Sequence, residues 1–165
     1  MAARSSTDCL AVRALEPTDI NRLADLYERL TPRSRYLRFM APIRLLPDAA
    51  LGYLANIDHD RHEAVGAFDD SDLIGSAHWF RSQHHPRRAD IAIEVADDYQ
   101  RQGVGARLLR LLGRRAQPHG IDEFGATLFA ENVGAIALLR STGWTRTSTA
   151  DGPELTVILK INEKN

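Results

Sequence analysis

The stretch Asp97-Asp98-Tyr99-Gln100-Arg101-Gln102-Gly103-Val104-Gly105-Ala106 lies between an alternating apolar segment, residues 90–95, and an amphipathic run that continues to about Ala116. It reads as a strand, a glycine-bearing loop and a helix N-terminus. Gly103 and Gly105 remove Cβ atoms where the backbone must come close to a ligand. The first amides of the helix have no partner within it and stand at its positive end. Such a terminus binds phosphate without any basic side chain. A dinucleotide fingerprint needs a glycine where Leu108 stands, and a P-loop needs a Gly-Lys-Ser/Thr run that this chain lacks. A glycine-rich helix start with no ligand is the plain alternative, and the run alone does not separate the two.

Upstream, residues 9–15 alternate loosely as a first strand. Pro17 and Thr18 introduce a helix through about Leu30, with Ile20, Leu23, Leu26, Tyr27 and Leu30 on one face. A short second helix starts at Thr31-Pro32 and ends before Pro42, and Pro47-Asp48 opens a third. Residues 63–68 and 73–81 form a hairpin around Asp69-Asp70-Ser71-Asp72. Downstream, the helix of residues 104–116 stops at Pro118 and Gly120. A strand at 124–129, a helix at 133–141 and two strands at 144–149 and 155–161 complete the chain. The order predicts an α+β fold: a mixed, mostly antiparallel sheet flanked by helices.

The 165 residues predict one domain, 1–165, and a hydrophobic share of 44% suffices for one core. A net charge of −1 supplies no global field for nucleic acid or membrane, so neither is an expected partner. Cys9 is the only cysteine, which excludes an internal disulfide and argues against a thiolate metal cluster. No apolar run reaches a membrane span, and residues 1–8 lack the apolar centre of a secretory leader, so a cytoplasmic location is expected.

Gln100-x-x-Gly103-x-Gly105 resembles the Gln/Arg-x-x-Gly-x-Gly/Ala signature of the GNAT superfamily of N-acetyltransferases. Asn132-x-x-Ala135-Ile136-x-Leu138, followed by Gly143-Trp144, resembles that family's second segment. The element order agrees along nearly the whole chain. The resemblance implies a GNAT-like fold with acetyl-CoA as co-substrate and no metal. Its pyrophosphate would lie on Gln100, Arg101, Gln102, Gly103, Val104, Gly105 and Ala106. Its pantetheine arm would run beside Ile93 and Val95, with Asn132 approaching it. The family's tyrosine, proposed to protonate the departing thiolate, is Leu139 here, which puts a tyrosine acid in doubt. Arg107, Arg110 and Arg114 read as a solvated helix face, one of them available to a 3′-phosphate.

Alternation places Asp90, Ala92 and Glu94 on one face of their strand. An acceptor amine arrives as ammonium, with a pKa of about 10.4 for lysine, and only its neutral form attacks a thioester. A carboxylate can take that proton. Asp90 and Glu94 are the candidate bases, set against a face that merely meets solvent. Asp90 comes first because Ala89-Asp90-Ile91-Ala92 looks like the Ala-Glu-Ile-Ala/Val of GNAT protein acetyltransferases. Asp is one methylene shorter than Glu, so a bridging water is expected.

Residues 30–39 and 58–64 look like segments of bacterial protein lysine acetyltransferases, some of which carry an attached regulatory domain. This chain starts at its first strand, and no such regulator is expected. A protein lysine is therefore the first acceptor class. A small-molecule amine, or a non-catalytic acyl-CoA-binding module, are the alternatives. His59 and His62 beside Asp58 and Asp60 admit a metal reading, with hydrogen-bonded structure the commoner outcome. His78 reads as a packed histidine rather than a second base, and His84-His85 as solvated.

Overall fold

The computed structural model describes residues 9–161, so the reading of residues 1–8 lies outside the described residues. Among the described residues seven strands form one sheet in the order β1-β2-β3-β4-β5-β7-β6. They are β1 (Ala11–Ala14), β2 (His62–Asp69), β3 (Asp72–Arg81), β4 (Arg88–Val95), β5 (Glu123–Phe129), β6 (Thr145–Asp151) and β7 (Glu154–Lys160). Every neighbouring pair is antiparallel except β4 and β5. The helices are α1 (Ile20–Arg29), α2 (Pro32–Phe39), α3 (Asp48–Ala55), α4 (Val104–Ala116) and α5 (Val133–Ser141). The predicted α+β architecture is therefore the observed one.

Alternation divides the strands between two cores. One face packs Val65, Ala77, Trp79, Ala89 and Phe124 against Leu108, Leu109 and Leu112 of α4, all fully or almost fully buried. Each such leucine stabilises the fold by about 1.5–3 kcal/mol through removal from water. The other face packs Ala64, Phe68 and Leu73 against Leu23, Leu26 and Tyr27 of α1 and Leu54 of α3. Trp144, expected to open a strand, instead plugs a gap between α4 and β5. A Cβ on Gly113 would meet its ring at 2.9 Å, and Phe124 meets it edge-on at 5.7 Å. β4 starts two residues earlier than its apolar alternation suggests, because Arg88 pairs in register with Glu123 and bonds its carboxylate at 2.8 Å.

Candidate active site

The parallel pairing of β4 with β5 is short. Arg88, Ala89 and Asp90 pair with Glu123, Phe124 and Gly125, and the ladder ends there. β4 continues to Val95 along β3, whereas β5 continues to Phe129 along β7. The strands therefore diverge beyond Asp90 and leave a wedge whose walls are residues 91–95 and 126–129. Tyr36 of α2 stacks on Phe129 at 5.1 Å across the open end. The shallow depression between α4 and β1, lined by Val12, Arg107, Arg110, Leu111 and Arg114, lies elsewhere.

The loop after β4 delivers the N-terminus of α4 to this wedge. Arg101 has φ +59° and Gly103 φ +82°, two left-handed residues that turn the chain sharply into the helix. Gly103 is the N-cap and has no side chain to cap the first turn, so the leading amides of α4 keep their donors for another group. A Cβ on Gly103 would meet nothing within 4 Å. Gly105 lies against α5: a Cβ there would be 2.9 Å from Leu138 Cδ2, so its lack of a side chain makes room for that helix.

Three other expected contact residues are engaged within the protein. The Gln100 side chain donates to the Val95 carbonyl at 2.9 Å and so fixes the loop to the end of β4. Asn132 caps α5 by accepting from the Ala135 amide at 3.2 Å. Leu139 is buried in the core beside α4. Ile93 and Val95 are half-buried along the wedge, and Arg101 and Gln102 are exposed beside it.

Asp90 and Glu94 share a face, as alternation requires, yet stand in opposite environments. Glu94 is buried among four partners. Arg38 Nε donates to Oε2 at 2.5 Å, Tyr27 Oη donates to Oε1 at 3.0 Å, and Ser76 Oγ donates to the same oxygen. His78 Nε2 lies 3.6 Å from Oε1. Burial opposes the charged form, but the Arg38 charge and the neighbouring His78 and Ser76 side chains outweigh it and hold the carboxyl at about 2. A carboxylate so depressed and enclosed accepts a proton less readily than an exposed one. Asp90 is exposed at the vertex of the wedge. Its Oδ1 lies 2.8 Å from the point where Gly125 would carry a Cβ, so Gly125 leaves the space this carboxylate uses.

Behind Glu94 runs a buried chain of hydrogen bonds that pattern reading did not reveal. His62 Nδ1 meets the Asn56 carbonyl at 3.1 Å, and that carbonyl can only accept, so Nδ1 carries the proton. Burial and the neighbouring His78 push His62 down to about 4, which keeps it neutral. Its Nε2 therefore accepts from His78 Nδ1 at 2.9 Å. His78 thus proves to be a packed histidine. In the 58–62 loop His59 is bonded to Glu63 and Glu16, while Asp58 accepts three backbone amides. Among the described residues no group of three or more His, Cys, Asp or Glu is placed to hold a metal. Nor is any described helix long and apolar enough to cross a membrane.

The acetyltransferase (GNAT) family model matches residues 21–144. Acetyltransferase Pat of Mycolicibacterium smegmatis is 28% identical over 141 residues, which cover 82% of this chain and 41% of that protein. The chain thus spans about two fifths of that relative's length. The GNAT domain of S. lividans PAT superposes with a TM-score of 0.84 at 23% identity, covering 90% of this chain and 89% of that one. The yncA protein of Salmonella typhimurium, solved with acetyl-CoA, gives 0.75 at 17% identity and covers 93% and 95%. The match over most of the chain and the divergent β4–β5 pair lead to one assignment: the chain belongs to the acetyltransferase (GNAT) family, a family of acyltransferase enzymes.

Proposed function

We propose that this domain transfers an acetyl group from acetyl-CoA directly to a primary amine, a protein lysine first among acceptors, with Asp90 as general base. The observation that carries the reading is the position of Asp90, exposed at the vertex where β4 and β5 part. From Val95 to Asp90 the strand advances about 17 Å at the usual rise. An extended pantetheine arm lying along residues 91–95, paired like an added strand, would bring its thioester toward that vertex. Its pyrophosphate would rest on the leading amides of α4. Gln100 and Asn132 would shape this path through the bonds they already make.

The acceptor nitrogen gives its proton to Asp90, directly or through one water, and attacks the thioester carbonyl. The new N–C bond forms, the C–S bond breaks, and coenzyme A leaves as thiolate or takes a proton from water. Leu139 offers no hydroxyl for that step. A backbone amide of β4 on the wedge wall beside the thioester opposes the charge on the carbonyl oxygen. Lysine is placed first because residues 30–39 and 58–64 resemble bacterial protein lysine acetyltransferases.

The test is thiol release from acetyl-CoA with a panel of small amines and lysine-containing proteins. Asp90→Asn should lower kcat by roughly 10²–10⁴-fold, the usual worth of a positioned base. An Asp90→Asn protein with full activity would refute the base assignment. Binding of acetyl-CoA without turnover of any acceptor would identify a binding module instead.

A further inference from the structure

Tyr53 is 64% exposed on the outer side of α3, although most large apolar side chains of the described residues are buried. It does not stand alone. Its ring lies parallel to that of Phe80, with centroids 5.3 Å apart and planes at 8°. Phe80 is half-buried and rests on His62, with centroids at 4.2 Å. His62 is itself fixed by the Asn56 carbonyl and His78. The pair is therefore backed by the buried histidine chain and holds its place.

Its location connects it to the reaction. Phe80 is directly opposite Asp90 in the β3–β4 ladder, so both side chains rise from the same face of the sheet. On the other side of Asp90, Gly125 has no side chain. The carboxylate thus has an aromatic wall on one flank and open sheet on the other. An aromatic face beside a carboxylate suits an alkylammonium ion: the ring covers methylenes and attracts the cation, and the carboxylate receives the charged end.

We infer that Tyr53 and Phe80 form an aromatic ledge that holds the hydrocarbon stem of the acceptor amine while its nitrogen meets Asp90. The inference rests on the reading of Asp90 as the base, and it specifies the acceptor as a primary amine on a flexible unbranched stem. The ledge sets acceptor affinity and leaves the acetyl-CoA path untouched.

The probes are ethylamine, propylamine and pentylamine, followed by aromatic-ring NMR for binding and by thiol release for turnover. In the wild type, pentylammonium should shift the Tyr53 and Phe80 ring resonances, and affinity should rise with chain length. Tyr53→Ala should weaken pentylamine by about 5–10-fold and ethylamine far less, as expected for one lost cation–π contact plus partial methylene burial. Tyr53→Phe should retain the chain-length dependence, and the KM for acetyl-CoA should not move. Rings that ignore pentylammonium, or a Tyr53→Ala protein with wild-type chain-length dependence, overturn the ledge. If Asp90→Asn is inactive alongside either of those results, the base assignment survives without it. If Asp90→Asn is fully active while the ledge responds as expected, the base is wrong and the ledge stands.

Discussion

Replacing Glu94 by glutamine keeps a side chain of the same shape and removes its charge. The Arg38 side chain, only 14% exposed, would then sit beneath α2 with no counter-charge. Removing one partner of a buried ion pair costs about 3–5 kcal/mol. Linkage gives a similar figure. A carboxyl held at about 2 in the folded protein, against about 4.3 unfolded, contributes about 3 kcal/mol at neutral pH. For a domain of this size that corresponds to a fall in Tm of about 6–12 °C. The folded pKa is depressed, so the contribution is complete above the unfolded value and lost as pH falls through the folded one. The stability gap between wild type and Glu94→Gln should therefore be full near pH 7 and narrow from about pH 4.3 toward 2. Urea denaturation across that range measures it. Adding Arg38→Met should recover part of the loss, because no uncompensated charge remains. Coincident midpoints at neutral pH would refute the ion-pair reasoning. If Glu94→Gln keeps its stability and abolishes the acidic limb of the pH–rate profile, Glu94 is the base.

Gly125→Ala places a methyl 2.8 Å from Asp90 Oδ1 and 3.6 Å from Ile158 Cδ1. Steady-state assays should show kcat lowered by about 10-fold or more through a displaced base, with little change in Tm; an unchanged kcat contradicts that role. His62→Gln should flatten the pH dependence of stability. The unfolded histidine takes up a proton near about pH 6.5, while the folded one resists until about 4. Wild-type stability should therefore fall as pH drops between those values, and a slope that persists in the variant rules His62 out as its source. Gly103→Ala forces a side chain into φ +82°, at about 1–2 kcal/mol, and should weaken acetyl-CoA binding in a calorimetric titration. Gly105→Ala presses on Leu138 and should lower stability with a smaller effect on binding; the opposite pattern would place the ligand at Gly105 instead.

The elements were legible because their signals are local. Leucines at helical spacing mark α4, and Gly103 announces its start, so the predicted 104–116 is the observed helix. Alternation correctly put Asp90 and Glu94 on one face. What it could not convey is which part of that face a helix covers. Arg38 reaches Glu94 from 56 residues away, and only the packing of α1 and α2 decides that one carboxylate is enclosed and the other exposed. Gly105 shows the same limit. A missing side chain looks alike in sequence whatever packs on it, and only the arrangement of α4 against α5 puts Leu138 there. The aromatic pair was hidden for a similar reason, since Tyr53 and Phe80 meet only when α3 folds over the start of β2.

The brief β4–β5 ladder also bears on how the molecule holds together. Three residue pairs join a four-stranded half of the sheet to a three-stranded half, and beyond them the main chains separate. Packing around α4 and α5, the Arg88–Glu123 pair and the Tyr36–Phe129 stack add to that cohesion. The join is therefore the place where the halves can loosen independently, and amides of residues 126–129 and 91–95 that point into the gap gain no protection from each other. A bound molecule that spans the gap with its own amide groups would act as an eighth strand. Substrate occupancy would then be read by hydrogen exchange as a fusion of two cooperative units into one.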